Sequence, residues 1–233
     1  MNNLQEIQEL AGLVQKIREA DKDLRVSGAG DGGHEHILRP CLSEEEIKQF
    51  EVKHNICLPE DYRLFLQHVG NGGPGPDYGM TSLGEGGYTF KLDEPFTYLE
   101  EVDFVKTPGE SANFAGILEV SDGGCSYYSY IVVTGPTRGQ VWNAHEMGIV
   151  PTGLTFSQWY RHWAERALEI LANEPLAERI KIGMTRSEVI EVTNSNWNER
   201  KGGEATLFEN PRIAAQLYLN EEKVVVRIIR YEF

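Results

Sequence analysis

The sequence is poor in positive charge, cysteine and long apolar runs. It carries 22 Lys and Arg against 36 Asp and Glu, a formal net charge of -14. That balance argues against a protein that grips nucleic acid by neutralising phosphates. It suits a basic partner, although acidity also serves solubility. Cys41, Cys57 and Cys125 are widely spaced, odd in number and form no CxxC pair, so they read as reduced thiols of a cytoplasmic protein with no disulfide and no zinc. No apolar stretch approaches the roughly 20 residues needed to cross a bilayer. The opening MNNLQEIQEL mixes polar and apolar residues where a signal peptide needs a basic start and a continuous apolar stretch. No membrane association and a cytoplasmic location are the expectations. Low-complexity tracts are absent, and 40% hydrophobic with 10% aromatic residues is the composition of a folded globular chain.

Periodicity supplies the elements. Leu4, Ile7, Leu10, Ala11, Val14 and Ile17 recur at helical spacing, predicting an amphipathic helix over residues 3 to 20. A glycine-rich loop from Val26 to Gly33 follows. Ser43 and Glu46 have capping-box spacing, so a second helix begins there and stops before Pro59, which suits the first turn of a third. Tyr62, Phe65, Leu66 and Val69 form that third helix's buried stripe, and Gly70-Asn71-Gly72-Gly73 end it. Residues 117–120, 127–133 and 140–143 read as strands of an antiparallel meander, with turns at Asp122-Gly123-Gly124 and Gly135–Gly139. Thr155 and Gln158 cap a helix whose Phe156, Trp159, Trp163, Ala167 and Ile170 share one face and cover the sheet. Beyond Pro175 a small α-β-β-β module is expected, with its tight turn at Asn220-Glu221-Glu222. Its last strand has apolar residues on both faces, Val224, Val226 and Ile228 alternating with Val225, Arg227 and Ile229, and the module is expected to dock on the domain that precedes it or on a second chain.

The run LSEEEIKQFEVKHNICLPEDYRLFLQHVGNGGPGPDYGM resembles the start of the SUKH superfamily. The likeness rests on Phe50-Glu51, Leu58-Pro59, Asp61-Tyr62, Phe65-Leu66 and Asn71-Gly72-Gly73. In the same order, GILEVSDGGCSYYSYIVVTGPTRGQVWN is similar to the superfamily's glycine-strand-hairpin-Trp segment, and TFSQWYRHWAERAL to its closing helix. These blocks cover about residues 34 to 172. The resemblance implies an α+β fold, a SUKH-type domain with an antiparallel-rich sheet flanked by helices over residues 34–175; it does not extend to the helix and loop over 1–33 or to the small C-terminal module over 176–233, which rest on periodicity alone. It also implies a non-enzymatic protein-binding module. Bacterial members act as immunity proteins that neutralise a cognate toxin, often one that attacks nucleic acid, and fungal members regulate cell-wall glucan synthesis. A toxin as partner is the first expectation, a cytoplasmic regulatory or scaffold role the alternative, and a hydrolase or metal enzyme the least favoured.

The residues themselves offer little chemistry. Gly28-Ala29-Gly30-Asp31-Gly32-Gly33 fits G-x-G-x-x-G but lacks the strand before and the helix after that a dinucleotide site needs. His34 and His36 flank Glu35, and on an extended strand both imidazoles would share a side, but two neighbouring ligands make no metal site. Cys125 with His145-Glu146 lacks a nucleophile elbow, and Cys125 reads as a small core residue. No catalytic residue, cofactor or metal is therefore assigned. The better contact candidates are turn and strand residues that place rigid aromatics beside carboxylates: Asp77, Tyr78, Asp122, Tyr127, Tyr128 and Trp142. Strand alternation sends about half of such a set inward, and the sequence does not say which half.

Overall fold

The structure, a computed structural model, describes residues 3–30, 32–86, 91–106, 113–172, 178–193, 198–200, 203–209 and 212–230. Asp31 and the expected boundary between residues 175 and 176 lie outside the described residues. The fold is α+β.

Helix α1 (Asn3–Ala20) buries Ile7, Leu10, Val14 and Ile17, the stripe its spacing predicts. It lies across α3 (Glu60–His68) and α4 (Phe156–Ala172), so its side chains enter the same core as the SUKH-like segments. Helix α2 (Glu44–His54) opens with the expected capping box. Ser43 Oγ accepts the Glu46 N–H, and the Glu46 carboxylate accepts the Ser43 N–H at 2.8 Å. Pro59 stands at the N-cap of α3, which presents Tyr62, Phe65 and Leu66 inward. Asp61 then ties two helices together, its Oδ2 accepting the Ser157 N–H at 2.9 Å in the first turn of α4.

Strands β1 (Val102–Asp103), β2 (Ile117–Gly124), β3 (Tyr127–Val132), β4 (Gln140–His145) and β5 (Gly148–Thr155) form an antiparallel sheet of order β1-β5-β4-β3-β2. One face carries Leu118, Val120, Ile131 and Val141 against Phe65, Phe156, Trp159 and Tyr160 of the helices. The other carries Ile117, Tyr130, Val132, Trp142, Ala144 and Ile149, covered by Phe96, Tyr98, Phe104 and Phe114 from the segment before β2. Burial on both faces explains why these strands read as continuous apolar runs rather than as a clean alternation. Pro151 and Gly153 break the strand pattern of β5, which is why sequence periodicity overlooks it.

The hairpin joining β2 to β3 departs from expectation. Its turn is Cys125-Ser126, both with positive φ (48° and 66°), and not Asp122-Gly123-Gly124, which belongs to β2. The glycines serve a different end. A Cβ on Gly124 would fall 2.7 Å from the Tyr78 ring, and one on Gly123 would fall 3.3 Å from the Asp77 carboxyl carbon. Cys125 is consequently exposed at the hairpin tip and is not a core residue.

The C-terminal part has its own core of Ile180, Val189, Ala205, Ala215, Leu217, Leu219 and Val225. Thr185 and Glu188 form the expected box at the start of α5 (Arg186–Thr193). A sheet of order β6-β7-β8-β9 follows, built from β6 (Asn198–Arg200), β7 (Glu204–Glu209), β8 (Arg212–Leu219) and β9 (Val225–Arg230). The short β6 adds a strand to the expected three. The tight turn forms at Asn220, whose carbonyl accepts the Lys223 N–H at 3.0 Å. Val225 is buried in this core while Val226 remains 49% exposed, so β9 keeps an apolar side chain in solvent. No helix among the described residues is long and apolar enough to cross a membrane.

Phe65 is fully buried and meets Phe156 edge-on at 5.0 Å and Tyr160 at 4.7 Å. Phe65→Ala is expected to cost about 3 to 5 kcal/mol by opening a cavity between α3 and α4. Urea denaturation checks this, as a lowered midpoint with an unchanged slope.

Candidate functional site

Helix α4 does not cover the whole sheet. Near the β2–β3 hairpin the helix-side face turns polar, with Ser129 Oγ and Asn143 Oδ1 in hydrogen-bond contact at 2.9 Å. An open cleft of about 710 Å³ forms there. Ser129 and Asn143 floor it, while Trp159, His162, Trp163 and Arg166 line the α4 side. Tyr127 and His145 stand at the sheet end, their rings stacked at 5.7 Å, and Pro76-Asp77-Tyr78 closes the far side.

That far wall is latched to the sheet edge. Ser121, fully buried on β2, donates to the carbonyls of Pro76 at 2.8 Å and Gly79 at 3.1 Å. The Tyr78 N–H reaches the Asp122 carbonyl at 3.3 Å, and the Thr81 N–H reaches the Val120 carbonyl at 3.0 Å. The loop therefore continues the sheet beyond β2, which brings Asp77 and Tyr78 over the hairpin glycines.

Of the expected contact residues, Asp77, Tyr78 and Tyr127 line the cleft. Tyr128 borders it along β3, but its ring packs on the opposite face beside Tyr130 at 6.0 Å, and Asp122, its partner on β2, is outside the lining. Trp142 does not line the cleft either. It is fully buried on the opposite face, its ring edge-on to Phe96 at 5.0 Å, because that face is itself covered. The expectation that Trp142 contacts a partner is thus corrected. Sequence reasoning missed Ser121, His162 and Arg166 and took Trp163 for core alone. The available signal was spacing, since Trp159, His162, Trp163, Arg166 and Ile170 recur on one side of a helix.

Partial burial, with the neighbouring Asp122 charge, holds the Asp77 carboxyl above its ordinary value of 3.8. Among the described residues no ion pair reaches Asp77 or Asp122. On the opposite side of the cleft, Arg166 meets Glu169 only at 4.0 Å, with both side chains exposed.

The His34-Glu35-His36 segment is not extended. Glu35 and His36 have φ of 46° and 56°, and the turn folds back so that the His34 N–H donates to the Gly28 carbonyl and the Glu35 N–H to the Ala29 carbonyl. His36 Nε2 lies 2.8 Å from Asp21 Oδ2, both side chains inaccessible to solvent. Asp21 also accepts the N–H groups of Arg25 and Val26. Burial works to raise the Asp21 carboxyl, but the bonds from His36, Val26 and Arg25 and the His36 charge together hold it below its ordinary value. His34 Nδ1 accepts the His36 N–H at 3.0 Å. Burial, with the charge of His36, depresses His34 from 6.5 to about 4. Among the described residues no three His, Cys, Asp or Glu side chains converge as a metal set. His145, imagined as a base for Cys125, uses Nδ1 to accept the Met147 N–H at 3.2 Å.

The profile of the SMI1 / KNR4 family (SUKH-1) matches residues 41–162, just over half of the chain. The chain belongs to this family. Comparison with curated proteins and with solved structures returns no match. The matched region holds three sides of the cleft, from the Asp77-Tyr78 loop through the hairpin to His162 on α4, while Trp163 and Arg166 follow directly. Membership of the SUKH superfamily thus coincides with the part of the molecule that builds the cleft.

Two outcomes follow from these electrostatics. Asp122→Asn removes the repulsion and is expected to bring the Asp77 carboxyl down toward 3.8, leaving only the effect of burial; carboxyl NMR titration measures it. Stability is expected to fall as pH drops from 6.5 toward 4, because the unfolded chain takes a proton that buried His34 resists. The loss is about 2 kcal/mol, allowing for partial solvent contact. Below that window Asp21 adds a loss in the same direction as its carboxylate is protonated. Urea unfolding across this pH range reads both, and His34→Asn, which keeps an acceptor for the His36 N–H, is expected to flatten the upper part.

Proposed function

We propose that this protein is a non-enzymatic immunity protein that binds a cognate toxin and blocks it, using the cleft between α4 and the β2–β3 hairpin. The observation that carries the proposal is the gathering of Asp77 with the exposed Tyr78 and Tyr127 in one open cleft. Exposed tyrosines supply contact area at low entropic cost, and the carboxylate selects a basic surface. Membership of the SUKH superfamily, which includes immunity proteins and cell-wall regulators, supports a protein-binding role in general. The net charge of -14 supports a basic partner, because it would steer such a partner during diffusional encounter.

A toxin that acts on nucleic acid fits this chemistry, since its substrate channel must itself be positive to accept phosphates. Coverage of that channel by an acidic protein would inhibit without any reaction on the inhibitor's part.

Co-expression with each candidate toxin encoded beside this gene is the test. Growth rescue, together with a 1:1 complex on gel filtration whose association slows as salt rises, is the expected result. Failure of every neighbouring candidate to bind or be neutralised would overturn the immunity role. Stable binding to a non-toxin product of the same operon would replace it with a regulatory or scaffold role.

A further inference from the structure

We infer that the partner docks on an exposed ridge across one end of the five-stranded sheet, formed by Tyr78, Tyr127, Met147 and Val105, and that it presents to this ridge an apolar strip edged by Lys or Arg. The inference rests on the protein-binding reading and names the place and chemistry of the contact. The ridge shares Tyr78 and Tyr127 with the cleft and continues away from it to Met147 and Val105, which are outside the cleft lining.

Three features converge on this surface. The first is clustering. Tyr78, Tyr127, Met147 and Val105 are 57%, 58%, 57% and 61% exposed, and the strand order brings all four to one end of the sheet. Tyr78 adjoins β2, Tyr127 opens β3, Met147 lies in the turn from β4 to β5, and Val105 follows β1. With strands about 4.8 Å apart the row spans roughly 20 Å, the scale of a protein interface and not of a small-molecule site. The second is a rigid frame. A Cβ on Gly124 would fall 2.7 Å from the Tyr78 ring, so that ring rests on the hairpin backbone. Tyr127 stacks on His145 at 5.7 Å, His145 Nδ1 accepts the Met147 N–H at 3.2 Å, and the Met147 carbonyl accepts the Phe104 N–H at 2.8 Å, next to Val105. A frame fixed before contact loses little conformational freedom on binding. The third is charge at the margins. Exposed acids border the ridge: Asp77 over Gly123 on the cleft side, Asp122 paired with Tyr128 on the other face, and Glu146 in the same turn as Met147. Among the described residues no ion pair reaches any of the three, whereas Asp103 is matched by Lys106 at 2.8 Å. The Arg166 guanidinium belongs to α4, across the cleft. A second copy seated ridge to ridge would bring like charges together, and an anionic membrane would meet the same repulsion. The occupant that fits is a basic protein with apolar side chains between its charges.

The probe is a short peptide alternating lysine with leucine, titrated into the full-length protein and followed by amide NMR. Peptides alternating lysine with serine and glutamate with leucine are the controls. The lysine–leucine peptide is expected to shift the signals of Tyr78, Val105, Tyr127 and Met147, with the lysine–serine peptide at least about tenfold weaker and the acidic one without effect. Val105→Ser combined with Met147→Ser keeps the net charge and the cleft lining. Both side chains are exposed, so the unfolding midpoint is expected to stay in place while the lysine–leucine peptide binds at least about tenfold more weakly. Shifts centred on another surface, no shift, equal binding by either control peptide, or an unchanged titration in the double variant would each overturn the inference. Concentration-dependent dimers that move these same signals would also overturn it, because a second copy would then be the occupant. A neighbouring toxin that binds the Val105→Ser, Met147→Ser protein as tightly as the wild type would overturn the ridge and leave the immunity role standing. Failure of every candidate toxin would remove that role, and the peptide titration would still decide the ridge.

Discussion

A five-stranded sheet with apolar side chains on both faces cannot leave either face in water, and most of this structure follows from that demand. Helices α1 to α4 all contribute to the core over one face, with Phe65, Phe156 and Tyr160 interlocking above Leu118, Val120 and Ile131. The other is covered by Phe96, Tyr98, Phe104 and Phe114, brought by a segment whose only regular piece among the described residues is the two-residue β1. The sheet thereby fixes the position of α4, and α4 in turn seats α1, so a helix outside the family match becomes part of the core. The cleft is the remainder. Where Ser129 and Asn143 make the sheet surface polar, no apolar face requires a cover, and α4 passes to one side.

Two buried polar devices hold the loops around this core. Ser121 uses its hydroxyl on the carbonyls of Pro76 and Gly79, which would otherwise lie at a sheet edge. The Asp21–His36 contact closes the turn after α1, with the carboxylate accepting two backbone N–H groups as well. Removing Asp21 is the costly change, because it leaves the His36 ring and the Arg25 and Val26 N–H groups without their acceptor. The sequence HEH, which by spacing hints at a metal, is thus engaged in folding the glycine-rich loop.

The acidic balance and the cleft act over different distances. Net charge sets a long-range field that salt screens within about 10 Å, and in the proposed immunity role it would govern how fast a basic partner arrives. Asp77, Tyr78 and Tyr127 would act in that role at contact range, where geometry and not total charge selects the group that fits. Membership of the SMI1 / KNR4 family (SUKH-1) places these features on a scaffold whose matched region ends on α4, at the cleft's helical wall.

Local rules were enough for much of this molecule. The stripe of α1, the capping boxes at Ser43 and Thr185, the stop after His68 and the apolar strands β2 to β4 all arise from spacing within a few residues, where hydrogen bonds and side-chain periodicity act. The candidate contact set was also largely visible, because aromatics beside carboxylates in turns are local features. Local rules failed where an answer depended on residues far along the chain. Gly123 and Gly124 looked like a turn, but their role is to admit Asp77 and Tyr78, so the turn moved to Cys125-Ser126. Trp142 looked like an exposed anchor, and only the cover supplied by Phe96 buries it. Likewise, His36 looked like half of a metal pair until Asp21 came to meet it. Composition and short-range pattern determined the elements and the acidic character. Tertiary packing decided which side chains remain in water, because burial is settled by what lies opposite a residue and not by its neighbours in sequence.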